Sequence, residues 1–173
     1  CGLLVQGPQA AATLAEWGAD VVKVELPQIG DASRWLPVLP TDPRTPHFFA
    51  CNRTKRSVTV DLHHAGGVEV FLRLVEWADV VITNFKPGTL EGWGLDYATL
   101  ARANPGLILV RISGYGQTGP YASRPGFGVI GEAMGGLRHV TGTPDRPPSR
   151  VGVSIGDTLS ALYGAIGALA ALE

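Results

Sequence analysis

SVTVDLHHAGGVEVFLRLVEWADVVITN (Ser57–Asn84) sets two short β-branched runs on either side of an amphipathic segment. Ser57–Asp61 and Asp79–Asn84 have the apolar, branched character of strands. Between them, Val68, Phe71, Leu72 and Val75 recur at i, i+3, i+4 and i+7 along Gly67–Trp77, which is one face of a helix. Strand, helix and strand in so short a span make a βαβ unit, with parallel strands and a right-handed crossover.

The pattern repeats outward. DVVKVE (Asp20–Glu25) and LILVRIS (Leu107–Ser113) predict two more strands, and Gln9–Trp17 a helix before the first of them. Asp96 is placed to cap a short helix through Ala103, stopped before Asn104-Pro105. The strand runs are almost continuously apolar, as strands covered on both faces must be. The expected fold class is α/β, a Rossmann-like doubly wound parallel sheet. Two stretches interrupt it. Leu26–Pro46 carries five prolines and predicts a long loop, and Gly114–Gly128 is a glycine-rich connection after a strand.

At 173 residues, 45% hydrophobic and 17% charged, the chain has the composition of one globular domain. A net charge of −1 removes the electrostatic drive toward nucleic acid or an anionic membrane, so neither is an expected partner. Cys1 and Cys51 form neither a CxxC pair nor a disulfide framework, and the N-terminus lacks a secretory pattern. The expected setting is therefore reducing and cytoplasmic. The apolar run Leu159–Leu172 is short for a bilayer and is expected as a buried core helix. A start at Cys1 and an end inside a helical pattern suggest a piece of a longer protein.

Four motifs bear on chemistry. GYGQTG (Gly114–Gly119) matches G-x-G-x-x-G after a strand, and Glu132 lies at about the distance of a ribose carboxylate. The residues beyond do not continue as the helix that a pyrophosphate needs. NRTKRS (Asn52–Ser57) puts Arg53, Lys55 and Arg56 before a strand, either as a solvated basic edge or as phosphate contacts. His47, His63, His64 and His139 show no metal-ligand spacing, so no metal is expected. Asp157 stands alone between Gly156 and an apolar helix. It reads locally either as the helix N-cap or as a carboxylate nucleophile needing no general base.

Several stretches in unbroken order resemble the class III CoA-transferases, the formyl-CoA transferase and carnitine CoA-transferase-like family. They are LAEWGADVVKVE with GDASR, NRTKRSVTVDL, ADVVITNFKPGTLEGWGLDY, NPGLILVRISGYGQTGPYASRPGF and EAMGGLRHVTGTPDRPPSRVGVSIGD. The resemblance implies that Asp157 attacks an acyl-CoA thioester, giving first a mixed anhydride and then an aspartyl-CoA thioester, and that GYGQTG is an active-site loop. It implies coenzyme A contacts at Val60, His63, Asn84, Phe85 and Tyr115, with Arg53, Lys55 or Arg34 meeting phosphates. The substrates would be an acyl-CoA and small carboxylic acids such as succinate. His63 stands where the family commonly has Lys, Gly92 where it often has Arg, and Leu26 where some members have Arg.

A racemase branch of the same fold transfers a proton through a His in the Gly-rich region, where this chain has Phe127. A non-catalytic dimerising fragment, with Asp157 only a cap, is the other alternative. The resemblance further implies that residues 1–173 are the N-terminal Rossmann-like domain of an interlocked homodimer. A first strand and a second, smaller domain would lie outside it. Alone, the chain would then bind coenzyme A weakly and not turn over.

Overall fold

The computed structural model describes residues 1–36 and 45–173. Pro37, Pro40 and Pro43 of the predicted 26–46 loop lie outside them. In chain order the elements are α1 (Gln6–Glu16), β1 (Val22–Glu25), a 3-10 helix (Ala32–Trp35), α2 (Pro46–Asn52), β2 (Arg56–Thr59), α3 (Ala65–Trp77) and β3 (Val80–Thr83). After these come α4 (Thr89–Gly92), α5 (Tyr97–Ala103), β4 (Ile108–Arg111), α6 (Gly128–Met134) and α7 (Ile155–Leu172). All four predicted strands form, and Asp96 caps α5 by accepting the Thr99 N–H at 2.7 Å. The short helices α2, α4 and α6 carry too few periodic residues to be read from the sequence, and the 3-10 helix falls inside the predicted loop.

The strands are parallel, as expected, but they pair two by two. β1 pairs with β2, Val22 opposite Arg56 through Glu25 opposite Thr59, and β3 pairs with β4, Val80 opposite Ile108 through Thr83 opposite Arg111. Among the described residues the two pairs share no ladder. A cleft of about 470 Å³ separates them, walled by the consecutive residues Val21–Val24 on one side and Ala78–Ile82 on the other. A strand face would offer every second residue, so consecutive lining means that two unpaired backbone edges look into the cleft.

Side chains alternate across β3. Val81 joins a core of Phe71 and Val75 from α3, Leu90 from α4, Leu100 from α5, and Leu95 and Leu107. Val80 and Ile82 pack the opposite way with Val110, against Leu14 of α1 and Ala165 and Ala168 of α7. Helices therefore cover both faces of the β3–β4 pair, which is the doubly wound arrangement. β2 departs from it, since three of its four residues are exposed.

The expectation of a buried α7 is corrected. Only Ala161, Ala165 and Ala168 are buried. These small side chains, with Gly164 against Val110 and Ile112, let the helix lie close on β4. Leu159, Leu162, Tyr163, Ile166 and Leu169 point outward. At 18 residues the helix has the length and composition to cross a bilayer, but its small-residue face belongs to the domain core.

A second core is polar. Lys23 and Asp31 form a buried ion pair at 2.7 Å. Asp31 also accepts the Ser33 N–H and Oγ–H, which accounts for the tight 3-10 turn. Glu25 takes both arms of Arg34 at 2.8 and 2.9 Å, the Ser57 hydroxyl and the Asp31 N–H. Burial pushes the Glu25 carboxyl up, but the bonds from Arg34, Ser57 and Asp31 outweigh it and hold it at about 2. A carboxyl depressed in the folded state stabilises it above the unfolded value and loses that contribution as pH falls toward the folded value. Denaturant unfolding across pH should therefore show stability falling between about 4.5 and about 2. Glu25→Gln, already lacking the charge, should flatten that decline.

Candidate functional site

Asp157 lies in the first turn of α7, third after Ser154, the N-cap residue. The capping alternative is thereby corrected, because the carboxylate sits inside the helix and turns toward α1 and α6. Its Oδ1 accepts from Gln6 Nε2, and the Gly128 N–H stands close enough to favour the charged carboxylate. The approach is close. A Cβ on Gly128 would stand 2.6 Å from the Asp157 carboxyl carbon, and one on Gly156 would stand 2.6 Å from the Gly128 carbonyl oxygen. Only glycine at both positions lets the start of α6 meet the start of α7. Burial pushes the Asp157 carboxyl above its ordinary value. The Gly128 N–H pulls it back, Glu132 pushes it up again, and Arg150 and Gln6 pull it down, for a net rise.

Gln6 was not read from the sequence as a site residue. Its orientation follows from Asn84, whose Nδ2 donates to the Leu3 carbonyl at 2.8 Å and to Gln6 Oε1 at 2.9 Å. Asn84 Oδ1 accepts the Leu3 N–H at 2.8 Å. A backbone N–H and C=O on one residue settle which end of the Asn84 amide is which. Gln6 must then show its oxygen to Asn84 and its NH₂ to Asp157. The segment that leads into Gln6, the first residue of α1, is pinned on both sides of Leu3. Lys23 Nζ donates to the Gly2 carbonyl at 3.0 Å, and Asp31 Oδ1 accepts the Leu4 N–H at 3.1 Å. Leu4 holds a φ of 60° there, a left-handed conformation that a leucine keeps only under such constraint.

The residues expected to meet coenzyme A divide into two groups. Asn84 leads directly to Phe85, whose ring meets Trp93 edge-on at 5.4 Å between centroids. The His63 ring meets the same Trp93 at 4.9 Å, and its Nδ1 contacts Asp61 Oδ1 at 2.8 Å. Val60 is buried in the core beneath them, and its N–H is taken by the Glu25 carbonyl at 2.8 Å. Asp157, Gln6, Asn84, Phe85, Trp93 and His63 thus form one connected series. Trp93 and Gln6 are its two members that sequence reasoning missed. A lone polar residue among apolar ones is the available signal for Gln6, and none marks Trp93 out from core tryptophans.

Tyr115 stacks edge-on against Tyr121 at 5.6 Å, in the loop that leaves β4. That loop is clasped at its ends, where a Cβ on Gly114 would stand 2.5 Å from the Gly126 Cα. Arg34 and Lys55 face elsewhere. The Arg34 guanidinium is held by both oxygens of Glu25 and lies 3.8 Å from the Phe48 ring centroid. Lys55 turns inward, its ammonium shared among the carbonyls of Pro8 and Cys51 and Asn52 Oδ1. Burial, and next to it the charge of Lys23, push that ammonium down to about 7. Lys55 thus offers no outward charge to a phosphate, whereas the Arg34 side chain, paired with Glu25, remains 40% exposed.

A sequence profile described as CoA-transferase family III matches residues 1–173. Succinyl-CoA–D-citramalate CoA-transferase of Chloroflexus aurantiacus is 50% identical over 99% of this chain and 43% of its own length. Succinate–glutarate CoA-transferase of Agrobacterium fabrum is 43% identical over 98% of this chain and 44% of its own. Among solved structures, a CAIB/BAIF family protein from Brucella suis superposes with a TM-score of 0.91 at 45% identity, covering 99% of this chain and 47% of that one. The chain spans somewhat under half the length of the relatives it matches.

Removing the Asn84 amide strands the N–H and C=O of Leu3 in a partly buried place. Asn84→Ala should cost about 1–3 kcal/mol in denaturant unfolding. Asn84→Leu, of similar volume but equally unable to bond, should cost a comparable amount.

Proposed function

The chain belongs to CoA-transferase family III, and from that membership and the geometry around Asp157 we propose that the protein moves coenzyme A between an acyl-CoA and a carboxylic acid through covalent states of Asp157. The carboxylate attacks the thioester carbonyl, joining one of its oxygens to the acyl carbon and expelling the CoA thiolate. The thiolate then attacks the aspartyl carbonyl carbon, forming the aspartyl-CoA thioester and releasing the first acid as its carboxylate. The acceptor carboxylate attacks that thioester, and the returning thiolate takes the new acyl group and restores Asp157. Each bond formed replaces one broken, and no proton has to move. The division of one exchange into several displacements is the kinetic gain.

The observation that carries this reading is the pair of donors on Asp157. When the thiolate adds to the aspartyl carbonyl, negative charge develops on the carboxyl oxygens, where Gln6 Nε2 donates to Oδ1 and the Gly128 N–H stands beside the group. Preorganised donors at such an oxygen are an effective stabiliser of a tetrahedral intermediate. Phe85, Trp93 and His63 supply an aromatic wall leading away from Asn84, which suits the pantetheine arm and adenine of coenzyme A. Lys55 is engaged inside the protein, so of Lys55 and Arg34 the exposed, Glu25-paired Arg34 is the one proposed to meet a phosphate. Short dicarboxylic acids are the proposed substrate class, in keeping with the names of the relatives.

The wider organisation is part of the same proposal. The cleft between β1 and β3 has the edges to take the additional strand that the resemblance implies, which would join the two pairs into one sheet. The outward apolar side chains of α7 suit burial by the second copy in a homodimer. A cytoplasmic location goes with acyl-CoA substrates.

Incubated with succinyl-CoA and then hydroxylamine, the full-length protein should carry a hydroxamate on the Asp157 peptide, read by mass spectrometry. Asp157→Asn, nearly equal in shape, should carry none. Absence of the adduct from the unaltered protein with several short acyl-CoAs would refute the reading.

A further inference from the structure

Glu132 is the fifth residue of α6, one turn on from Gly128 and therefore on the same face as the residue that backs onto Asp157. Its side chain is 1% exposed. Neither carboxylate oxygen has a hydrogen-bond partner. The cation facing it, Arg150 Nε, is 3.9 Å from Oε2, beyond hydrogen-bond reach, and half of that arginine side chain is in solvent. Buried polar groups in native proteins almost always find partners, and a buried carboxylate without one is costly. The contrast with Asp31 is direct, since that equally buried carboxylate has four donors. Glu132 stabilises nothing by its own bonds, yet its charge acts on Asp157.

We propose that Glu132 is a positioning residue for the exchange, a buried negative charge that opposes the ionised Asp157 carboxylate and so favours the forms in which Asp157 is acylated. This rests on Asp157 being the nucleophile. In the resting protein two carboxylates lie near one another in a partly desolvated place. Acylation turns Asp157 into a neutral anhydride or thioester. Its charge departs on the CoA thiolate in the first displacement and on the released acid in the second, so the repulsion is absent from both covalent states. The same repulsion makes the free carboxylate more basic and a better nucleophile. The groups that face Asp157 are the Gly128 N–H and Glu132 from α6, Arg150 from the segment before α7, and Gln6 from α1. Of the charged ones, only Glu132 is buried.

The test uses the full-length protein with 13C-labelled aspartate carboxyls, the Asp157 signal being assigned by its loss in Asp157→Asn. Glu132→Gln should lower the pH at which Asp157 titrates and Arg150→Gln should raise it. The succinyl-CoA and hydroxylamine assay should give roughly three- to tenfold less Asp157 adduct with Glu132→Gln, one pKa unit corresponding to a factor of ten. Glu132→Asp, which keeps the charge, should recover most of the adduct. An unmoved Asp157 midpoint in Glu132→Gln overturns the proposal, as does an undiminished adduct. If Glu132→Gln does not fold, an Asp157 midpoint that fails to rise in Arg150→Gln overturns it equally. A missing adduct in the unaltered protein refutes the nucleophile itself, whereas a normal adduct there with no effect of Glu132→Gln refutes only the role of Glu132.

Discussion

Three consecutive residues at the start of the chain are each held by a different polar side chain from another element. Lys23 of β1 takes the Gly2 carbonyl, Asn84 after β3 takes both backbone groups of Leu3, and Asp31 takes the Leu4 N–H. The segment would otherwise lose its pairing at the mouth of a wide cleft, with a leucine in a left-handed conformation. Backbone groups removed from water must be paired, and here side chains do what a sheet ladder does elsewhere. Everything near Asp157 depends on this arrangement, because the same amide that pins Leu3 also orients Gln6.

Among the described residues, two buried polar clusters have opposite characters. Around Lys23, Asp31, Glu25 and Arg34, nearly every donor meets an acceptor, so the charges are stabilised where they are. A network satisfied in this way is rigid. Around Asp157 the balance is incomplete. Glu132 has no hydrogen-bond partner, and Asp157 has a carboxyl raised by burial. The first cluster holds structure, and the second is where the proposed chemistry would occur.

Glycine explains how the second cluster is assembled. The start of α7 reaches the start of α6 only because Gly128 and Gly156 have no side chains, and the loop between β4 and α6 closes only where Gly114 meets Gly126. These contacts set a carboxylate beside a backbone N–H, inside the helix rather than at its N-cap. The small-residue face of α7 has the same effect at the other end, bringing the helix axis close to β4 while its larger side chains turn outward.

Much of the frame was legible in the chain itself. The β-branched runs at Val22–Glu25, Arg56–Thr59, Val80–Thr83 and Ile108–Arg111, and the 3.6-residue period of α3, determine a parallel α/β fold because backbone geometry dictates those periods locally. Asp157 stood out as a lone carboxylate before an apolar helix. The split of the strands into two pairs, the inward turn of Lys55 and the engagement of Arg34 by Glu25 were not legible, since each depends on residues far apart in sequence meeting in space. The same holds for Gln6 and Glu132. Their roles come from the orientation of one amide and the burial of one carboxylate. Hydrogen-bond direction and desolvation are properties of a three-dimensional surrounding, which only the tertiary structure decided.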